Sequence, residues 1–390
     1  MTRTASPRIG AMFRPLAPLA MMLAIGASTA RPQATPQRIT LSTPNAAFVE
    51  PFSSVAGLRE LRDGRLIVAD RIEQRVVLVD IAGATQTDLG RRGEGPGEYE
   101  MPGALFALPD HSTLMMDMLN RRFTLIQPDG KLSTATIPLR HPDGFPIFPR
   151  GIDRHGRIYF DLAGMMMPGL EETATSGIAP LLRWDPGSGA VDTLGTVNFP
   201  PMPGSTGPGE MRISIGGGTP YAGRDEWAVT PDGRVGIARY APYRLEWVSP
   251  GGAPVAGPVV PYKPVPVTKD EKDSWADAMT SRGLMVEVEN GRRRVRRPPR
   301  PDIDRQTWPK EMPPFLSGAA RATPEGELWI ERAQPAKEPR RTYDVFDASG
   351  RLSRQVVLPD DRRLIGFGNG VLYAVRVDQD DLEWLERYSR

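Results

Sequence analysis

The sequence predicts an all-β protein, a six-bladed β-propeller of four-stranded antiparallel blades. Three observations lead there. A turn–strand–turn–strand phrase returns six times along the chain, and Gly and Pro (40 and 41 of 390 residues) supply turns well above their usual share. No credible alternation of strands with helices interrupts the phrase, so a parallel α/β sheet is excluded.

The phrase is clearest at 62–80, RDGRLIVADRIEQRVVLVD, and 109–127, PDHSTLMMDMLNRRFTLIQ. Offsetting the two by 47 residues aligns Asp63 with Asp110, Asp70 with Asp117, Arg75 with Arg122 and Leu78 with Leu125. Each copy is a tight polar turn, a β-run of Val, Ile, Leu and aromatics, a second turn and a second β-run. Weaker copies begin at 153, 230, 323 and 367. Taking Gly64, His111, Gly156, Gly233, Gly326 and Gly370 as turn markers, the steps are 47, 45, 77, 93 and 44 residues. A short step holds four strands, and a long one holds four strands plus an insertion. Six such units form a closed ring only if no sheet edge is left over. The last unit ends two residues after Tyr388 and lacks an outer strand, while Arg38-Ile39-Thr40-Leu41-Ser42 is a β-run with no unit of its own. This N-terminal strand is expected to complete blade 6.

Ahead of it, Arg3, Arg8 and Arg14 precede the apolar run 16–25 and the small residues Ala27-Ser28-Thr29-Ala30. That order reads as a secretory signal peptide over 1–30, with the propeller over 31–390. The run is short for a membrane span, which takes about 20 apolar residues; an uncleaved N-terminal anchor is the alternative. A periplasmic or extracellular location follows. Removing 1–30 leaves 46 basic and 47 acidic residues, a balance without the basic footprint of a nucleic-acid-binding protein. With no Cys at all, disulfide scaffolds, thiol nucleophiles and Cys-ligated metals are also excluded.

Residues 89–130 carry Gly93-Glu94-Gly95-Pro96-Gly97-Glu98-Tyr99, then Pro102, a β-run, Asp117 closing the second strand, a polar turn and Arg122. This pattern resembles the NHL-type repeat and the related six-bladed propellers of secreted bacterial proteins. Blades 1 and 2 match it well; the other four match in turn and strand rhythm. The resemblance implies a propeller and a binding scaffold, in a group that includes both binding modules and hydrolases of the lactonase kind.

In such blades the a–b and c–d turns lie on one face, and the b–c and d–a connections on the other. The long segments here, 162–179, 197–224, 262–316 and 332–341, with the Gly-rich 90–102, all fall in the second group. Binding and chemistry concentrate on loops carried by a rigid scaffold, so the long-loop face is the expected working surface. Within 262–316, Thr268-Lys269-Asp270-Glu271 fits a capping box opening a short helix that Gly283 stops. The run Arg292–Arg300 after it reads as a solvated, mobile loop, with an anion or acidic-partner site as the alternative.

Candidate residues follow from position. Arg91, Arg92, Tyr99, Tyr221, Arg239, Tyr240 and Tyr243 place rigid aromatics beside cations, the composition of a recognition surface for a protein, peptide or glycan. The second strands end in Asp70, Asp117, Asp161 and Glu331, which could hold a hard cation such as Ca²⁺ at the channel mouth. Such an ion would polarise an ester or lactone carbonyl; the competing role is capping of the b–c turns. No catalytic residue is assigned. The chain has neither His-Glu-x-x-His nor Gly-x-Ser-x-Gly, and of its three His only His141 falls where a Ser-His-Asp arrangement could form. The reading is a monomeric binding module with no membrane span after signal cleavage, and a metal-dependent hydrolase is the alternative.

Overall fold

The computed structural model describes residues 36–140, 146–166, 169–202, 212–213, 219–289 and 292–390. The signal-peptide expectation and His141 lie outside them. Six radial four-stranded antiparallel sheets follow one another in chain order. Blade 1 is Val55–Glu60, Leu66–Asp70, Arg75–Asp80 and Thr85–Asp88. Blade 2 is Pro102–Ala107, Thr113–Asp117, Arg122–Ile126 and Leu132–Pro138. Blade 3 is Gly151–Ile152, Ile158–Asp161, Ile178–Trp184 and Val191–Asn198. Blade 4 is Glu226–Val229, Val235–Tyr240, Tyr243–Val248 and Val255–Ala256. Blade 5 is Phe315–Ala322, Leu328–Arg332, Arg340–Phe346 and Leu352–Asp360. Blade 6 takes Arg362–Gly368, Val371–Val377 and Glu383–Ser389 from the C-terminal segment.

The second strand of each blade is sandwiched between neighbouring sheets. Leu66–Asp70 is buried at every position, which is why it reads as a continuous apolar run rather than an alternation. Trp227, Trp329, Tyr343 and Phe346 fill the space between blades and are at most 1% exposed. The a–b turns are tight because each has a residue free to take positive φ. Gly64 does so at +83°, while the Asp63 carboxylate accepts the Arg65 N–H at 3.1 Å.

Ring closure corrects one expectation. The strand Gln37–Thr40 does not join blade 6; it runs parallel to Leu352–Asp360 as a fifth strand of blade 5, in register Gln37 with Arg354. The missing outer strand of blade 6 is Ala46–Ala47, antiparallel to Glu383–Ser389. Backbone bonds from Asn45 to Arg387, Phe48 to Leu385 and Phe52 to Glu383, each 2.8 Å, extend that pairing. The N-terminal segment therefore closes the ring, but with residues further along, and it ties down two blades instead of one. Phe48 and Phe52 stack at 6.1 Å and are buried beside Val55, Tyr373 and Leu385, locking the seam between blades 6 and 1.

The long connections leave from one face, as the antiparallel order requires. Among the described residues they carry two α-helices. Glu171–Ser176, between the second and third strands of blade 3, was not expected from the sequence. Lys269–Arg282 was: the Thr268 N–H donates to Glu271 at 3.0 Å, and the Gly283 N–H returns to the Met279 carbonyl. Among the described residues no helix is long and apolar enough to cross a membrane.

Candidate functional site

Residues 262–289 and 292–316 form a strap across the long-loop face. The run of arginines is not a solvated loop: Arg292–Arg296 pairs antiparallel with Met285–Glu289 in a β-hairpin. Its acidic partners belong to the same chain. Arg293 reaches Glu100, entering blade 2, at 2.7 Å and the Leu119 carbonyl at 3.2 Å. Arg297 reaches Asp381 of blade 6 at 3.0 Å and the Ser53 carbonyl at 3.4 Å. The near end is held by the helix. Glu271 accepts the Ala336 N–H at 3.2 Å, and the Glu271 carbonyl accepts the Tyr221 hydroxyl at 2.6 Å. Trp308 packs edge-on to Trp275 at 5.3 Å and against Tyr221 at 5.8 Å. Arg300 binds Asp273 at 2.9 Å and Asp277 at 2.8 Å, folding the tail of the hairpin back on the helix. Isolated surface pairs of this kind contribute little. Glu100 is only 6% exposed, so removing its arginine partner would leave a buried carboxylate uncompensated.

Between the strap and blades 5 and 6 lies a cavity of about 560 Å³, lined by Ser281 and Arg297 from the strap and by Glu338, Arg341, Asp361 and Arg363 from the blades. The arginines are engaged: Arg363 with Glu383 at 2.5 Å, Arg362 with Glu386 at 2.9 Å, and Arg341 with Glu331. Glu338 and Asp361 make no ion pair among the described residues and present charge to the cavity.

The carboxylates considered as cation ligands serve their own blades. Asp70 accepts the backbone N–H groups of Ser53 (2.7 Å), Ser54, Ile72 and Glu73, and its burial pushes its pKa up. Asp117 accepts from Glu100, Met101 (3.0 Å) and the Asn120 side chain (2.7 Å). Asp161 accepts the Trp227 indole N–H at 2.7 Å and the Ala163 N–H at 2.9 Å. Glu331 takes Arg341 and the Tyr343 hydroxyl. Both oxygens of each carboxylate already accept at least one donor, and no group of three or more His, Asp or Glu among the described residues could hold a metal ion. These four residues therefore do not fit Ca²⁺.

The recognition residues divide. Tyr99 and Tyr243, expected at the surface, are core residues, 2% and 1% exposed. The Tyr99 oxygen accepts the Val76 N–H at 3.0 Å, fastening the Gly-rich crossover to blade 1, and the Tyr243 hydroxyl donates to Asp344 at 2.8 Å. Burial, reinforced by the Asp344 carboxylate, raises the Tyr243 pKa well above its ordinary value. Arg239 is clamped by Asp225 and Glu246, both at 2.8 Å. Tyr240 lies over Gly223, where a Cβ would come within 2.5 Å of the ring. Tyr221 belongs to the strap anchor. Arg91 and Arg92 remain exposed, Arg91 paired with Glu98 at 2.6 Å and Arg92 beside the Arg293 carbonyl.

The sequence reading missed a set of charged residues at the starts of strands, Arg150 and Glu226 at inner strands and Glu383 at the third strand of blade 6. Arg150 binds Glu226 at 2.5 Å, lies 3.6 Å from Asp161 and covers the Trp227 ring at 4.9 Å. Burial opposes its charge, but Glu226 and Asp161 outweigh that and raise its pKa. Glu383 accepts the Val55 N–H at 2.7 Å across the closing seam. A signal existed: these are charged residues standing where a strand with apolar positions begins.

No family model matches the chain, and no curated protein does. Among solved structures, it is similar to a member of the DUF4221 family from Bacteroides vulgatus, at 10% identity over 89% of this chain and 98% of that one, with a TM-score of 0.48. It is also similar to the calcium-binding protein regucalcin from Agrobacterium tumefaciens (13%, 91% and 97%, TM-score 0.42) and to virginiamycin B lyase from Staphylococcus aureus (9%, 87% and 85%, TM-score 0.37). At this level of likeness nothing about ligand or chemistry transfers to the chain. The class is set by the six sheets themselves: a six-bladed β-propeller.

Proposed function

We propose that the chain is an exported binding module of the NHL-like kind, processed after residue 30 and monomeric, that takes a protein, peptide or glycan ligand on its long-loop face. The observation that carries this reading is the strap laid across that face with a cavity of about 560 Å³ left beneath its edge. That volume lies within the usual range for ligand sites, roughly 300–1,000 Å³. Its walls carry charges of both signs, which suits a polar ligand rather than a lipid. Arg91 and Arg92, exposed beside the hairpin, extend the surface.

The alternative, a hydrolase working through Ca²⁺, would need carboxylates with free oxygens, and the four candidates have spent theirs on backbone and side-chain donors. The test is a peptide and glycan array probed with the full chain and with a Glu338→Lys/Asp361→Lys variant. Ligands lost on the double substitution support the reading. Ligands unaffected by it overturn the placement, and Ca²⁺-dependent turnover of an ester or lactone panel would establish the hydrolase instead.

A further inference from the structure

The arginines of the long-loop face described above are matched by carboxylates; most of those around the ring axis are not. A continuous space runs between the inner strands and opens at the tight a–b turns, on the face opposite the strap. Its axial part holds about 590 Å³ and its mouth about 1080 Å³, and the two share Leu105, Ala107, Pro324 and Phe367 as walls. The axial walls are otherwise mostly apolar, with Phe106, Ile152, Val229 and Ile365 from four different blades.

Four guanidinium groups line this space without a carboxylate partner among the described residues. Arg59 donates to the His111 carbonyl at 3.1 Å, to the Ser112 carbonyl and to the Thr113 hydroxyl. Burial pulls its pKa down, with Asp110 acting the other way. Among the described residues Arg321 donates only to the Gly318 carbonyl, at 2.8 Å. The side chains of Arg62 and Arg154 have no polar partner among the described residues. The acids on the same lining are mostly taken. Asp63 is paired with Arg65 at 2.6 Å and Asp153 with Arg157 at 2.7 Å, which leaves Glu60, bound to the Asn369 N–H at 2.9 Å, as the one without a cation. Arg150, at the inner end, is neutralised by Glu226.

An apolar bore with an excess of unmatched cations at its open end suits one kind of occupant. We propose that the axial space is a second binding site, separate from the long-loop face, for a single-chain anionic amphiphile whose tail lies along the ring axis and whose head group sits among Arg62, Arg154 and Arg321. Burial of the tail supplies affinity, and the head group supplies selectivity by sign.

The experiment is calorimetric titration of the full chain with dodecanoate below its micelle concentration, and with dodecyltrimethylammonium, which has the same tail and the opposite charge. Dodecanoate should bind about tenfold more tightly than the cation. Arg62→Glu/Arg154→Glu, which removes no hydrogen bond or ion pair seen among the described residues, should erase that preference while leaving the melting temperature unchanged. Gly366→Leu fills the bore at a point where a Cβ meets only Leu58, at 3.8 Å, and should abolish binding of both probes. The proposal is overturned by equal affinity for the two probes, by no heat with dodecanoate, or by unchanged binding in Gly366→Leu.

Discussion

Replacing Asp117 by alanine separates the two roles considered for the carboxylates that end the second strands. Asp117 is fully buried and accepts from the Glu100 N–H, the Met101 N–H at 3.0 Å and the Asn120 amide at 2.7 Å. Each buried donor left without an acceptor costs about 1–3 kcal/mol. Asn120 can turn to solvent, so the two backbone groups dominate, and the expected loss is about 3–5 kcal/mol. Roughly 350 ordered residues at about 2.1 cal/mol/K each give an unfolding entropy near 0.75 kcal/mol/K, so the melting temperature should fall by about 5 °C. Scanning calorimetry in excess EDTA and again in millimolar CaCl₂ provides the assay. The capping role predicts the same drop in both buffers and no Ca²⁺ stabilisation of the parent. A parent that melts higher in Ca²⁺, with an Asp117→Ala variant that differs from it only when Ca²⁺ is present, would refute the reasoning.

Two further outcomes follow from the same contacts. Phe52→Ala removes a buried ring from the seam that closes the propeller and should cost about 3–5 kcal/mol, measured by urea unfolding; a loss under about 1 kcal/mol would mean the seam does not hold the ring. The Asp273 carboxyl is held below its ordinary 3.8 by Lys269 and then Arg300. Because the folded value is depressed, this clamp is fully present above pH 3.8 and is lost as pH falls through the lower folded value. ¹⁹F resonances of fluorotryptophan at Trp275 and Trp308 should therefore stay fixed down to that pH and shift only below it; movement already near neutral pH would contradict the assignment.

The blades were legible because they rest on local chemistry: an Asp-Gly turn, an apolar run, and an acid that caps. The closing strand was not. Arg38–Ser42 has the look of a strand, and nothing local says which sheet it joins, while Ala46–Ala47 is too short to show any period and is a strand only because Arg387 and Glu386 lie opposite. Tyr243 stands next to Arg244 in sequence and Tyr99 follows Arg92 by seven residues, yet their burial is decided by side chains from neighbouring blades. The hairpin in the strap did have a signal. Asn290-Gly291 sits between the alternating Met285–Glu289 and the arginine run, and Asn-Gly between alternating runs is a strong hairpin cue. The density of arginine drew attention to charge and away from period. What those arginines bind could not be read locally, because Glu100 and Asp381 lie far away in the chain and meet them only once the ring is formed.

The account depends most on the strap being tied down over the long-loop face. Hydrogen exchange across 262–316, followed by mass spectrometry in the full chain, addresses this directly. Slow exchange in 285–289 and 292–296, accelerated about tenfold or more by Arg293→Glu/Arg297→Glu while the blades keep their protection, is the predicted result. Exchange of those segments at the rate of unstructured peptide in the unaltered chain, or no change on reversing the two charges, would contradict it.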